Sequence, residues 1–293
     1  MMGIDEILKK LDGLFKDERL EEVEPFLLSC MRQAKAGNEY GIYISVGNEL
    51  IGFYRSISRY EEAFAVAEDV LLLMEELQLE GTVHFATTLL NTATAYRAAM
   101  RACGWSAASD SSLADYRRAL EIYQRDLPKD DYRLAGLYNN ISILLEKLDE
   151  NEKAALFLHK AIQIVEKQPQ SRLELATSRT NLALIELKLN HLEEAKKLLD
   201  LACRAFEEDG GITDSHYSAA LAGLGEVCYR QGGLERALGY YEHALFEVEK
   251  HFGRNQGYGL LCGNCSLVCR ELGRKAEADE YERQRKRYCH EGD

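Results

Sequence analysis

Between Leu173 and Glu208 the apolar positions fall on two helical stripes. Leu182, Ala183, Ile185 and Leu189 share one face of a first helix. Leu192, Ala195, Leu198, Leu199 and Ala202 share one face of the next. The frame then recurs along the chain. The steps from Asn181 to Ala195 and from Ala195 to Ala202 are kept by Asn140, Ala154, Ala161 and by Gly223, Ala237, Ala244. Asn264 and Ala278 open a further copy, in which Arg285 replaces the last alanine. Ala119, Ala161, Ala202 and Ala244 return at a nearly constant interval of about 42 residues, and a fixed period of this size marks an array of stacked units. Small residues at constant offsets let two antiparallel helices approach closely. A lone hairpin cannot bury its apolar face, so stacking is what makes a core.

The spacing predicts about seven helical hairpins in an all-α chain. A divergent first one covers 4–36, with Ile4, Ile7, Leu8 and Leu11 followed by Val23, Phe26, Leu27 and Cys30. The second runs over 40–79 and the third opens near Thr82. The fourth to sixth span about 131–168, 170–208 and 213–252, and the seventh starts near Gln256. The step from Val70 to Ala119 is longer than its neighbours by seven positions, and the excess is placed at 104–111, read as an enlarged turn holding Trp105. That turn either projects towards a partner or folds back on its own hairpin. The final helix, about 275–289, carries Arg283, Arg285, Lys286 and Arg287 and reads as a polar cap on the stack.

Leu182-Ala183, Ala195 and Leu199 resemble the pattern of the tetratricopeptide repeat family, a leucine and a small residue in the first helix and alanine with a bulky residue in the second. Arg59-Tyr60-Glu61-Glu62-Ala63 and Leu137-Tyr138-Asn139-Asn140 are similar to the longer repeats of kinesin light chains. The period agrees, since it exceeds the roughly 34 residues usual in the wider family. The resemblance covers nearly the whole chain. It implies an α-α superhelix, a right-handed solenoid formed as a single array over 1–293, whose first helices line a concave groove.

A second stripe on each first helix, displaced from the packing stripe, is then the wall of that groove. It comprises Thr177, Asn181, Leu184 and Lys188 in the fifth repeat, spaced by four, three and four. Its equivalents include Gly136, Asn140, Ile143, Lys147 and Thr87, Asn91, Thr94, Ala98. Ala219, Gly223, Glu226, Arg230 and Leu260, Asn264, Leu267, Glu271 continue it. Asparagine is a mediocre helix former, because its amide competes with the backbone for hydrogen bonds. Its return at one mid-helix phase calls for a cause. An amide offers an acceptor and two donors, enough to pair with the peptide groups of an extended chain. Several peptide-binding members of the family have an asparagine ladder here, and Asn91, Asn140, Asn181 and Asn264 match that slot. Glu49 holds it in the second repeat, with Asn48 adjacent, and Gly223 holds it in the sixth. Amides that merely bond to the next helix would explain the row equally. Arg55, Arg97, Lys147, Lys188, Arg230 and Arg270 form a basic row at the far end of the same helices. They either select a partner bearing carboxylates or answer the helix dipoles.

Composition narrows the partners. The formal net charge of −13 argues against nucleic acid and anionic membranes, and no apolar run reaches membrane length. A soluble cytoplasmic protein with reduced thiols fits eight cysteines and no signal-like leader. Cys262, Cys265 and Cys269 occupy the phases of Leu221, Leu224 and Cys228, so they read as packing residues rather than metal ligands. No phosphate loop, catalytic grouping or cofactor motif appears. The expected function is a non-catalytic module that binds an extended or disordered segment of a partner protein. The alternatives are a peptide-responsive regulator of the bacterial kind, acting through a separate output partner, and a self-associating scaffold. The oligomeric state is left open.

Overall fold

The computed structural model describes residues 2–103, 108–168 and 170–289. These residues form fourteen α-helices and one short 3-10 turn, with no strand among them. In the first half come α1 (Ile4–Lys16), α2 (Leu20–Ala36), α3 (Tyr40–Ser56), α4 (Tyr60–Glu76), α5 (Val83–Cys103), α6 (Ala108–Asp126) and α7 (Tyr132–Lys147). The second half contains α8 (Asn151–Val165), α9 (Arg172–Lys188), α10 (Leu192–Glu208), α11 (Ser215–Arg230), α12 (Leu234–Phe252), α13 (Gln256–Glu271) and α14 (Lys275–Tyr288).

Two compact units make up the chain, Met1–Leu144 and Leu145–Asp293, and the division falls inside α7. In the first unit α1 to α6 pack in sequence, and the odd-numbered helices α1, α3 and α5 also touch in succession. In the second unit α8 to α14 pack in sequence, and α9 touches α11. The first helices of successive hairpins therefore form one layer within each unit.

The alanines of the period make that layer possible. Ala119, Ala154, Ala161, Ala195, Ala202, Ala237, Ala244 and Ala278 are all fully buried. Glycine serves where even a methyl group is too much: a Cβ at Gly225 would lie 2.7 Å from Cε1 of Tyr241. Around these contacts Phe85, Tyr116, Tyr123 and Met74 fill the core of the first unit, and Phe206 and Tyr241 fill that of the second. Cys262, Cys265 and Cys269 are buried in α13. Burial pushes the Cys262 thiol up to about 11, a state in which it behaves as a small hydrophobe. Helix α14 buries only Ala278, and its polar remainder carries the pairs Arg283–Glu280 and Arg285–Glu282.

The additional residues of the third hairpin lie largely in its helices. Helix α5 has 21 residues and α6 has 19, against 17 in each of α3 and α4. Ala108–Ser111, expected in the enlarged turn, begin α6. Alanine is the strongest helix former, and serine and aspartate favour helix starts, so Ala108-Ser109-Asp110-Ser111 is suited to open a helix. Trp105 and its neighbours at 104–107 lie outside the described residues.

One turn geometry joins most of the helices. Glu18, Asn38, Ser58, Gln78, Asp149 and Asn190 all have φ between 56° and 64°, and Gly232 and Gly273 sit at 78° and 74°. The following amide reaches back five residues in each case, as from Arg59 to Tyr54 O at 2.9 Å and from His191 to Glu186 O at 2.8 Å. This is the Schellman closure, which satisfies carbonyls left open at a helix end. A left-handed residue with a side chain costs about 1–2 kcal/mol unless it is Asn or Asp. Gln78→Gly should therefore raise unfolding free energy by roughly 0.5–1 kcal/mol, and Gly273→Ala should lower it by a similar amount. Urea titrations read both; a loss of stability in Gln78→Gly would contradict the turn assignment.

Candidate functional site

On α9 the packing stripe Leu182, Ala183 and Ile185 is buried, while Thr177, Asn181 and Leu184 are half-buried and Lys188 is exposed. On α7 the order is the same, with Gly136, Asn140 and Ile143 half-buried and Lys147 exposed. Asn91 and Asn264 are half-buried, and Leu260, Leu267 and Glu271 are exposed. The displaced stripe thus lies at the edge of the core, with its cationic end in solvent.

Within each unit these side chains meet their counterparts one repeat away. Asn91 Nδ2 donates to Asn48 Oδ1 at 2.7 Å, and Asn48 Nδ2 donates to Thr88 Oγ1 and to its own helix at Ile44 O, both at 3.0 Å. Arg97 Nη2 donates to Asn140 Oδ1 at 3.4 Å. In the second unit Lys188 Nζ donates to Glu146 Oε1 at 2.7 Å, and Arg230 Nη1 donates to Leu187 O at 2.7 Å. The partners on different helices are 42 or 43 residues apart, except in the Thr88 contact, where the separation is 40. Arg230 Nε also donates to Glu226 Oε1 at 2.6 Å on its own helix.

The two departures from asparagine have local causes. A Cβ at Gly223 would come within 2.9 Å of Leu199 Cδ1, so an amide in the sixth repeat would require the Leu199 side chain to shift. Glu49 is exposed, and its neighbour Asn48 makes the contact to the next first helix instead.

Comparison with known proteins shows what this architecture is similar to. Residues 220–256 match the family model of the tetratricopeptide repeat. Protein KINESIN LIGHT CHAIN-RELATED 3 of Arabidopsis thaliana is 21% identical over 249 residues, which is 84% of this chain and 37% of that protein. The crystal structure of BtubC (BKLC) from P. vanneervenii superposes with a TM-score of 0.61 at 20% identity, covering 78% of this chain and 90% of the other. The chain is similar to tetratricopeptide repeat proteins, the long-repeat kinesin-light-chain kind among them. A Rap protein complexed with Competence and Sporulation Factor shares the fold at a TM-score of 0.67 and 13% identity, covering 97% of this chain and 76% of that one. The chain spans little over a third of the curated relatives it matches, 37% and 35% of their lengths.

The wall formed by the first helices is partly self-satisfied. Asn48 donates two bonds and accepts one, which leaves it little capacity for a ligand. Asn91 donates one bond to Asn48, and Asn140 accepts one from Arg97, so each retains further donor or acceptor capacity. Asn181 and Lys147 also have interaction partners. Asn264 has no hydrogen bond from its side chain among the described residues. Thr88, Glu146 and the Leu187 carbonyl were not singled out in the sequence. Their signal is an offset of about one repeat from a polar residue of the stripe.

The amide contact between α3 and α5 yields a test by double-mutant cycle. Asn48→Ala and Asn91→Ala should each lower stability, with a coupling of about 0.5–1.5 kcal/mol between them. Strictly additive changes would mean that the amide pair contributes nothing to holding the two first helices together.

Proposed function

We propose that this protein is a non-catalytic interaction module whose first-helix wall takes an extended segment of a partner protein. The observation that carries the reading is the half-buried row of amides with hydrogen-bonding capacity beyond its internal contacts. Asn91, Asn140 and Asn264 recur along the same helical phase and keep donors or acceptors for a peptide backbone. Backbone pairing of this kind gives affinity with little demand on sequence, while the exposed ends Lys147, Lys188 and Arg230 meet side chains of the bound segment. No helix among the described residues is long and apolar enough to cross a membrane, and a cytoplasmic location is part of the proposal.

A second reading is a peptide-responsive regulator that acts through a separate output protein. The likeness to a Rap protein complexed with Competence and Sporulation Factor, over 97% of this chain, favours it. The two readings differ in whether the protein rearranges. X-ray scattering with a bound peptide should leave the radius of gyration unchanged for a passive module, whereas a regulator should contract or expand.

Binding itself is tested by fluorescence anisotropy with a labelled library of unstructured peptides. Selected binders should lose about tenfold in affinity in the Asn181→Ala, Asn264→Ala double variant, the magnitude expected for lost hydrogen bonds. Unchanged affinity in that variant would remove the amide row from the function.

A further inference from the structure

The cations of the basic row differ in how far the protein itself satisfies them. Lys188 is paired with Glu146 at 2.7 Å, Arg230 with Glu226 at 2.6 Å, and Arg270 lies 3.9 Å from Glu282. Neither Arg55 nor Arg97 has a carboxylate at ion-pair distance among the described residues. Both line one cavity of about 510 Å³ in the first unit, together with Ser56, Ser58, Tyr60 and Thr94.

Burial first, and the charge of Arg97 second, hold the Arg55 guanidinium below its usual range, although Arg55 as a residue is exposed. The Nε of Arg97 is buried without a hydrogen-bond partner. A buried guanidinium donor left open is a cost the fold carries in the unbound state. The helix dipole explains only one of the two cations. Arg55 stands in the last turn of α3, whereas Arg97 precedes the end of the longer α5 by six residues.

The remaining polar groups restrict what enters. Ser56 Oγ donates to Phe53 O and Thr94 Oγ1 donates to Leu90 O, each at 2.7 Å, so their hydrogens are committed. The donors left for a ligand are mainly guanidinium N–H groups, which suit a planar, bidentate acceptor.

We infer that Arg55 and Arg97 form a carboxylate-binding subsite that selects an acidic group on the bound segment. The inference rests on the interaction-wall reading and names the chemistry of its ligand. A carboxylate is favoured over phosphate because a chain of formal net charge −13 repels a dianion more strongly than a monoanion. The α3 C-terminus adds negative potential at the same place.

The test uses the full chain labelled with 15N-arginine and follows the Nε–H resonances of Arg55 and Arg97. Four probes are titrated: acetyl-glutamate amide, acetyl-glutamine amide, acetyl-alanine with its free carboxylate, and inorganic phosphate. The expected result is a saturable shift with a carboxylate probe and none with the glutamine one. Acetyl-glutamate amide acting alone assigns the source to an acidic side chain, and acetyl-alanine acting alone assigns it to a C-terminus. Phosphate binding more tightly than both carboxylates, or no shift with any probe, would overturn the inference.

Arg55→Gln should weaken the carboxylate probe by about tenfold or more. It should also raise the melting temperature of the unbound protein at low salt, because it removes a like charge facing Arg97. A variant that binds the probe as well as the parent would refute the subsite. Failure of the groove reading is distinguishable: library peptides that bind with no preference for acidic residues sink only the subsite. Probe shifts at Arg97 with no library binder sink only the groove.

Discussion

Close approach of helices at fully buried alanines is the constraint on which the molecule depends. Ala154, Ala161, Ala195, Ala202, Ala237 and Ala244 return in a nearly constant rhythm and admit neighbouring helices to contact. Dispersion over such surfaces is weak per atom and large in sum, and it is lost if the helices separate. The Schellman turns set the other dimension. In the first unit Glu18, Asn38, Ser58 and Gln78 fall at equal intervals, so consecutive helices enter and leave their turns at the same height. With spacing and turns fixed, the first helices within each unit are bound to touch. The stripe beside their contact is then bound to be half in the core and half in water.

On the proposed reading, polar groups on such a border serve two roles at once. Asn48 holds α3 to α5 through Asn91 and Thr88, while Lys188 and Arg230 hold α9 to Glu146 and to the α11 face. On the same proposed reading, a partner segment meets a wall already ordered by its own hydrogen bonds, with less side-chain entropy to lose on binding. Asn91 and Asn140 show how the roles coexist: one polar end is committed to a neighbour and the other retains capacity. Arg55 and Arg97 are the exception, since no carboxylate among the described residues lies at ion-pair distance from either. In the inferred carboxylate subsite, the cost of that pair belongs to the unbound state and an acidic ligand relieves it.

Much of this was legible in the residues. The alanine period exposed the repeats because only a small side chain survives at a helix crossing, and the same logic put the cysteines of α13 in the core. The displaced stripe followed from helical angles alone. The common turn did not show, because Glu, Asn, Ser, Gln, Asp and Gly all occupy its left-handed position. There the backbone closure, not the side chain, carries the conformation. Nor did the sequence reveal that α5 and α6 lengthen to take in much of the third hairpin's surplus. Ala108 to Ser111 look like a loop by composition and act as a helix start by position. The pairing of Asn48 with Asn91 depends on the rotation of one helix against the next, which periodicity does not contain. Which cations lack a carboxylate was hidden for the same reason.

The most direct measurement of whether the wall is a recognition surface is a crystal structure of the protein with a selected peptide bound. The expected density is an extended chain along the half-buried stripe of the first helices, with its peptide groups within hydrogen-bond distance of the asparagine amides. A peptide seated on the second helices, with the amide contacts of the unbound wall unchanged, would contradict it.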